Sequence, residues 1–125
     1  KLKLMNVTMD LNLNEVLPLI KCDSSQMQQV LINLIMNSAE AAQSKAEGKV
    51  IVRTDVTAKG EEVILDVSDN GDGIPPENIP KLFTPFFTTK GEGKGVGLGL
   101  AVVYGIVQAH SGDIEVKSKV GIGTT

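Results

Sequence analysis

Aromatic side chains are scarce in this sequence, which contains three Phe, one Tyr and no Trp, and its formal net charge is −3. Nucleic-acid partners are therefore not expected, because single strands are bound by stacking aromatics in a basic groove and duplexes by Lys and Arg against the phosphates. The expected partner is a small ligand or another protein.

Cysteine and long apolar runs are equally rare. Cys22 is the only cysteine, which excludes an internal disulfide, and no Cys/His cluster has the spacing of a zinc site. No apolar run approaches the ~18 residues of a membrane-spanning helix, and no signal-peptide pattern is present. We expect a cytoplasmic fragment without direct membrane contact, although its parent protein could carry a membrane anchor elsewhere.

The chain has 125 residues, of which 42% are hydrophobic, and this is enough for one domain with its own core. Residues 1–125 are therefore expected to form a single domain. The chain opens within an alternating pattern at Lys1 and stops directly after a Gly-Thr turn. We expect it to be a piece of a larger protein.

The first half of the chain predicts two short strands at 2–8 and 17–22, with a turn at 12–15 between them. Asp23, with Gln26 three residues later, has the spacing of an N-cap at the start of a helix that ends before Gly48. Apolar residues then follow at helical spacing, and these are Met27, Val30, Leu31, Leu34, Ile35 and Ala42.

The opposite face of this helix carries Asn33 and Asn37, which are four residues apart and so lie one above the other. Asn is a mediocre helix former, so a pair at this spacing needs a reason. A solvated helix face is one explanation. The other is ligand binding, because an amide can bond a phosphate-bound water or offer a neutral oxygen to Mg²⁺.

The ranges 49–57 and 61–68 alternate in polarity and predict an antiparallel hairpin whose second strand ends at Asp69. The run 69–75, Asp-Asn-Gly-Asp-Gly-Ile-Pro, follows at once. Such a run is ordinary turn chemistry, but a carboxylate at a strand end can also point into a pocket.

A short helix is predicted over 75–83, next to the three Phe residues, which are expected to anchor this segment to the core. Glycine then occupies every second position from Gly91 to Gly99, so we expect 88–95 to be mobile without a ligand. A second helix is predicted from Val96, with Gly112 as its C-cap, and a strand over 113–120 follows.

A glycine-rich loop that leads into a helix N-terminus is a phosphate cradle in physical terms. No GxGxxG can be read through 91–99, so the dinucleotide fingerprint does not apply. The P-loop does not apply either, because Lys94 is followed by glycine and not by Ser or Thr.

Taken in order, these segments resemble the catalytic ATP-binding domain of sensor histidine kinases over nearly the whole chain. The matching motifs are Asn33-x-x-x-Asn37, Asp69-x-Gly71-x-Gly73, the Phe/Pro segment, Gly95-x-Gly97-x-Gly99-Leu100 and Gly121-x-Gly123-Thr124. The ranges 84–90 and 97–107 look most like the nitrogen-regulation type of sensor kinase. The resemblance implies an α+β fold, the Bergerat two-layer sandwich, in which a mixed sheet of about five strands packs against three helices.

The resemblance also implies a site for ATP and Mg²⁺. Asp69 would accept the adenine amino group, Gly73 would let the backbone approach the ring, and Thr124 would hold the same edge. Asn37 would ligate Mg²⁺, and 88–95 would be a lid over the nucleotide. The residues implied at the nucleotide are Asn33, Asn37, Asp69, Gly71, Gly73, Ile74, Lys90, Gly95, Val96, Gly97, Leu98, Gly99, Leu100 and Thr124, with Asn33 and Lys90 as the catalytic residues.

Two departures from the family pattern affect these expectations. Many members carry a basic residue where this chain has Glu40, so that phosphate contact is either absent or made by Lys90 or Lys94. The only histidine, His110, is expected to be structural, at a helix end where a cation suits the dipole. The phosphoacceptor histidine would then lie on a separate dimerisation domain of the parent, with a response regulator downstream.

Other proteins of the same fold keep alternatives open. They include the ATPases of type II topoisomerases, mismatch-repair proteins and the large heat-shock chaperone, and protein-serine kinases that act as anti-sigma factors. The ATPases place a glutamate where Asn33 stands, to activate water. An Asn in this position favours phosphoryl transfer over hydrolysis, while a nucleotide sensor without catalysis is a further reading.

Overall fold

A computed structural model of the chain describes residues 7–14, 22–43, 45–57, 62–83 and 99–125. Its helices in these ranges are α1 (Ser24–Ala42), a 3-10 helix (Pro76–Lys81) and α2 (Gly99–Ala109). Its strands in these ranges are β1 (Val7–Asn12), β2 (Gly48–Val56), β3 (Val63–Asp69), β4 (Ser118–Lys119) and β5 (Gly123–Thr124).

The strands form one five-stranded sheet in the order β1-β2-β3-β5-β4. The strands β1 and β2 are parallel, and every other pair is antiparallel. The expected α+β fold with a mixed sheet of about five strands is therefore confirmed, and so is the antiparallel hairpin of β2 and β3. None of the helices in the described ranges is long and apolar enough to cross a bilayer.

Helix α1 packs against both the sheet and α2, and its apolar residues contribute to both contacts. One core cluster joins Ala39 and Ala42 of α1 to Val50 and Val52 of β2, with Val7 of β1 at its edge. A second cluster joins α1 to α2. Its buried members are Val30, Val103 and Ile106, and Met27, Leu34, Val107 and Ile114 pack against them.

The start of α1 forms as its sequence predicts. The Asp23 carboxylate accepts a hydrogen bond of 3.0 Å from the Gln26 N–H, as an N-cap does. This cap fixes where the helix begins, and hence which of its residues face the sheet.

The end of α2 differs from the prediction by one residue. The left-handed position belongs to Ser111, with φ of 57°, and not to Gly112. The Gly112 N–H bonds the Val107 carbonyl at 2.9 Å, and the Ser111 N–H bonds that of Gln108 at 3.0 Å. These two bonds make a Schellman motif in which the glycine comes one position later than usual.

Two strand predictions also needed correction. Within the described residues the first strand spans Val7–Asn12 and so continues past the predicted end at residue 8. Residues 2–6 of that prediction, and most of the predicted strand 17–22, lie outside the described residues. The predicted strand 113–120 is reduced to Ser118–Lys119, although Lys117 and Thr125 still exchange two backbone hydrogen bonds. Its only strand partner in the described sheet, β5, is two residues long, so 113–116 have no ladder to join.

The short helix predicted over 75–83 is present as the 3-10 helix. Pro80 lies within it and has no N–H to donate, which suits a short helix better than a long one. The predicted lid at 88–95 and the predicted helix start at Val96 lie outside the described residues.

Candidate functional site

Asp69 ends β3 with its side chain half-buried against α1. Its Oδ1 accepts the Gly71 N–H at 2.9 Å. Burial raises the pKa of the Asp69 carboxyl above its ordinary value, while hydrogen bonds from the Gly71 N–H, the Ser38 hydroxyl and the Thr124 N–H act in the opposite direction. The Gly71 N–H thus holds Oδ1 toward the following turn, while donors from α1 and β5 favour the ionised form of the carboxyl.

Glycines let other backbone segments approach this carboxylate closely. A Cβ on Gly71 would lie 2.5 Å from the Ala41 carbonyl oxygen of α1. Gly73 has φ of +80°, and a Cβ there would lie 2.3 Å from the Lys119 carbonyl oxygen. Glycine at 71 and 73 is thus required by packing against α1 and β4, in addition to the roles toward a ligand that were expected.

Thr124 lies directly opposite Asp69 in the pairing of β3 with β5. Its hydroxyl oxygen is 2.7 Å from the Ser118 hydroxyl, which also accepts the Ile74 N–H at 2.7 Å. Asp69, Ser118 and Thr124 line one open cavity of about 290 Å³, near the lower end of the size range of small-molecule sites. One edge of the site therefore offers a carboxylate beside a hydroxyl.

The two asparagines of α1 lie beside the first described turn of α2. Asn33 donates from Nδ2 to the Gly99 carbonyl at 3.3 Å and accepts from Gln29 Nε2 at 3.1 Å. A Cβ on Gly99 would be 3.6 Å from Asn37 Nδ2. The structure thus brings Asn33, Asn37 and Gly99 together, with Leu100 next along the helix.

The carboxylate end and the amide end of the site are joined along α1, because Ser38 directly follows Asn37. Ser38 is five positions after Asn33, a rise of about 7.5 Å along the helix. A ligand that suits both ends would have an amino-bearing ring at Asp69 and an anionic part at the asparagines. The predicted residues Lys90, Gly95, Val96, Gly97 and Leu98 lie outside the described residues.

Sequence reasoning missed Ser38, Ser118 and Gln29, each of which bonds a predicted site residue. Ser38 had a usable signal, because it is a hydroxyl within the sheet-facing stripe of α1. Ser118 and Gln29 had no such signal, since their alternation and spacing are those of an ordinary strand and an ordinary helix surface.

His110 is structural, as expected, but for a different reason. Its Nε2 accepts the Asp23 N–H at 3.0 Å, and its Nδ1 lies 2.8 Å from the Ile106 carbonyl. The ring nitrogen that accepts the Asp23 N–H carries no hydrogen, so Nδ1 is the nitrogen placed to donate to the Ile106 carbonyl. The ring thus ties α2 to the cap of α1.

Comparison with known proteins gives the family. Residues 22–125 match the family described as histidine kinase-, DNA gyrase B-, and HSP90-like ATPase. The chain is 40% identical over 112 residues to the sensor histidine kinase ZraS of Escherichia coli (strain K12), covering 90% of this chain and 23% of ZraS. It is 39% identical over 115 residues to the sensory histidine kinase/phosphatase NtrB of Rhizobium meliloti (strain 1021), covering 82% of this chain and 30% of NtrB.

A nitrogen-regulation kinase is thus among the relatives, as the motifs predicted, and the chain spans less than a third of either protein. Among solved structures, it is similar to the nucleotide-free catalytic domain of the histidine kinase ThkA. The TM-score is 0.79 at 32% identity, and the match covers 98% of this chain and 77% of that one. ThkA in complex with the response regulator protein TrrA matches with a TM-score of 0.75 at 29% identity, covering 98% of this chain and 34% of that one.

Family, sheet topology and the placement of the motif residues agree. The chain belongs to the histidine kinase-, DNA gyrase B-, and HSP90-like ATPases of the Bergerat fold, and within them it is an ATP-binding catalytic domain of the sensor histidine kinase type.

Proposed function

We propose that the chain binds ATP together with Mg²⁺ and transfers the γ-phosphoryl group to a histidine on a separate dimerisation domain of its parent protein. The observation that carries the proposal is the juxtaposition of Asn33 and Asn37 with Gly99, on the same helix whose Ser38 holds Asp69. Helix α1 thus links the proposed base-recognising end at Asp69 to the proposed phosphate end at Asn33 and Asn37.

At the base-recognising end, the ionised Asp69 would accept a hydrogen bond from the adenine amino group. Guanine carries a carbonyl at that position, which would face the carboxylate without a proton between them. Hydrogen bonds to a charged group are about twice as strong as neutral ones, so this contact favours adenine. Thr124 supports the same edge from β5.

At the phosphate end, the donor set suits magnesium. Within the described ranges no group of three or more His, Cys, Asp or Glu could hold a metal ion. Asn37, whose amide lies beside Gly99, would supply one neutral oxygen, so the other ligands would be phosphate oxygens and water. Mg²⁺ is commonly held by few protein ligands plus substrate phosphates, and when bound it would offset the phosphate charge during transfer.

Transfer to histidine, in preference to hydrolysis, is supported by the side chain at position 33. An amide cannot accept the proton of an attacking water, and the Asn33 amide is already bonded at Gly99. In the proposed step the bond from the γ-phosphorus to the β–γ bridging oxygen breaks. A bond from phosphorus to the imidazole nitrogen forms, and ADP leaves.

The acceptor histidine is proposed to come from outside these 125 residues, because both nitrogens of His110 are already engaged. We further propose that residues 1–125 act as one domain, that a response regulator receives the phosphoryl group, and that the domain works in the cytoplasm, where ATP is available. Similarity to a kinase solved with its response regulator supports that partner class.

The test uses ATP labelled at the γ-phosphate, with the chain alone and with the histidine-bearing helices of its parent. We expect acid-labile, base-stable label on those helices only, and none without the chain. The His110→Gln variant is the matched control and should label the helices to the same extent as the unmutated 125-residue chain. Label on this chain alone that disappears in His110→Gln would contradict the proposal, as would release of inorganic phosphate in place of transfer.

A further inference from the structure

Ser118 connects two predicted site residues that are far apart in the sequence. Its hydroxyl oxygen accepts the Ile74 N–H at 2.7 Å and lies 2.7 Å from the Thr124 hydroxyl oxygen. It also lies 3.2 Å from the Gly123 carbonyl, to which it can donate. Ser118 is half-buried and lines the same cavity as Asp69 and Thr124.

A hydroxyl has one hydrogen, so these contacts allow two arrangements. In the first, Ser118 donates to the Gly123 carbonyl and Thr124 donates to Ser118, which leaves only acceptor capacity on the Thr124 oxygen. In the second, Ser118 donates to Thr124, and the Thr124 hydrogen is released toward the cavity. The second arrangement gives up only the longest of the three contacts.

The choice between these arrangements matters for the nucleobase. In adenine the amino group lies next to ring nitrogen N1, which is an acceptor. If the amino group binds Asp69, then N1 lies near Thr124, because Thr124 is the residue paired with Asp69. A hydroxyl that bonds N1 directly must donate, and only the second arrangement allows this.

We propose that Ser118 is a positioning residue for nucleobase recognition, which donates its hydrogen to Thr124 and so directs the Thr124 hydroxyl hydrogen toward the adenine N1 edge. This inference rests on the proposed binding of ATP at Asp69 and Thr124. It assigns Ser118 no contact with the nucleotide itself.

The test is a two-by-two measurement of dissociation constants by calorimetry on the 125-residue chain. The ligands are ATP and 1-deaza-ATP, in which a C–H group replaces N1, and the proteins are the parent chain and Ser118→Ala. In the parent chain we expect 1-deaza-ATP to bind about fivefold to tenfold more weakly, the effect of one hydrogen bond. In Ser118→Ala this ratio should fall to within about twofold.

The ratio separates positioning from a merely structural role. Ser118→Ala also removes the partner of the Ile74 N–H, but this loss lowers the affinity for both ligands alike and therefore cancels in the ratio of their dissociation constants. Two further variants complete the design: Thr124→Val should reduce the ratio as Ser118→Ala does, and Ser118→Thr, which keeps a hydroxyl on a strand, should restore it.

A ratio in Ser118→Ala equal to that of the parent chain would overturn the inference while leaving the proposed function intact. Equal affinity of the parent chain for both ligands would overturn it as well. If the parent chain does not bind ATP, the proposed function fails first and this inference fails with it.

Discussion

The side chain of His110 accepts a hydrogen bond of 3.0 Å from the main-chain N–H of Asp23, 87 positions earlier in the chain. Asp23 is also the N-cap of α1, so one residue links the start of α1 to the end of α2. The only histidine of a histidine kinase domain is thus part of its packing.

Replacement of His110 by Ala should therefore lower the free energy of unfolding by about 1 kcal/mol, the net value of one hydrogen bond. The affinity for ATP should stay within about twofold of the value for the unmutated chain, because the hydrogen bonds of His110 join α2 to the cap of α1 and involve none of the proposed nucleotide-binding residues. Urea denaturation and calorimetry measure the two quantities. A large loss of ATP affinity in a folded His110→Ala variant would place His110 in the binding site.

Asp69 is expected to confer the preference for adenine. Asp69→Ala removes a charge-assisted hydrogen bond, so the affinity for ATP should fall by about 1.5–3 kcal/mol, or roughly 10- to 150-fold. Asp113→Asn, at an exposed acidic position, is the matched control and should bind ATP as the parent chain does. Titration calorimetry that finds Asp69→Ala within about twofold of the parent would exclude this role.

The stability of the chain should depend on pH through Asp69 in a defined direction. Burial raises the pKa of Asp69 in the folded state above 3.8, its ordinary value, so the folded chain binds this proton more tightly than the unfolded chain. The contribution of Asp69 to the free energy of unfolding is then largest below its unfolded pKa and is lost as the pH rises through the folded pKa.

The parent chain should consequently gain stability relative to Asp69→Asn as the pH is lowered from about 7 to about 4. Ser38→Ala should move this transition to higher pH, because the Ser38 hydrogen bond favours the ionised carboxylate. Urea denaturation over a pH series measures both effects, with Ser25→Ala on the exposed start of α1 as the control. If the difference in the free energy of unfolding between the unmutated chain and Asp69→Asn is constant over that range, or has the opposite sign, burial does not control the pKa of Asp69.

Asn37 and Asn33 should differ in how they affect metal dependence. Asn37→Ala removes the one proposed protein ligand of Mg²⁺, so ATP should bind this variant almost equally with and without magnesium. Asn33→Ala should weaken binding but keep the magnesium dependence, because Asn33 bonds Gly99 and its proposed contact is with the phosphates and not with the metal. Calorimetric titrations with and without the metal test this, and an unchanged magnesium effect in Asn37→Ala would count against the assignment.

Gly71 and Gly105 provide a matched pair for the packing argument. A Cβ at Gly71 would lie 2.5 Å from the Ala41 carbonyl oxygen, so Gly71→Ala should destabilise the fold by about 1–3 kcal/mol. A Cβ at Gly105, in α2, meets nothing within 4 Å, and Gly105→Ala should stabilise by roughly 0.5–1 kcal/mol. Thermal unfolding of the two variants should show midpoint shifts of opposite sign; equal shifts would refute the packing account.

Local physics explains what the sequence predicted well. Three correct predictions depend only on the spacing of residues a few positions apart. They are the cap at Asp23, the apolar helix stripe from Met27 to Ala42 and the strand that ends at Asp69. The same periodicity put Asn33 and Asn37 on one side of α1. That side lies beside Gly99.

Errors arose where the outcome depends on a distant partner. The strand predicted over 113–120 alternates in exposure as a strand does, yet its ladder stops because β5 is two residues long. A second error is of another kind, because it is local: the left-handed residue at the end of α2 is Ser111 and not Gly112, and the two closing hydrogen bonds run to Gln108 and Val107 in the last turn.

The sequence by itself determined the order of the elements, the family and the residue types offered to the ligand, because periodicity, capping and motif spacing are properties of neighbouring residues. Only the tertiary structure decided which side chains orient those groups. Ser118 meets Ile74 across 44 positions, and His110 meets Asp23 across 87. No local pattern encodes such hydrogen bonds, since each forms only when packing of the hydrophobic core brings donor and acceptor within about 3 Å.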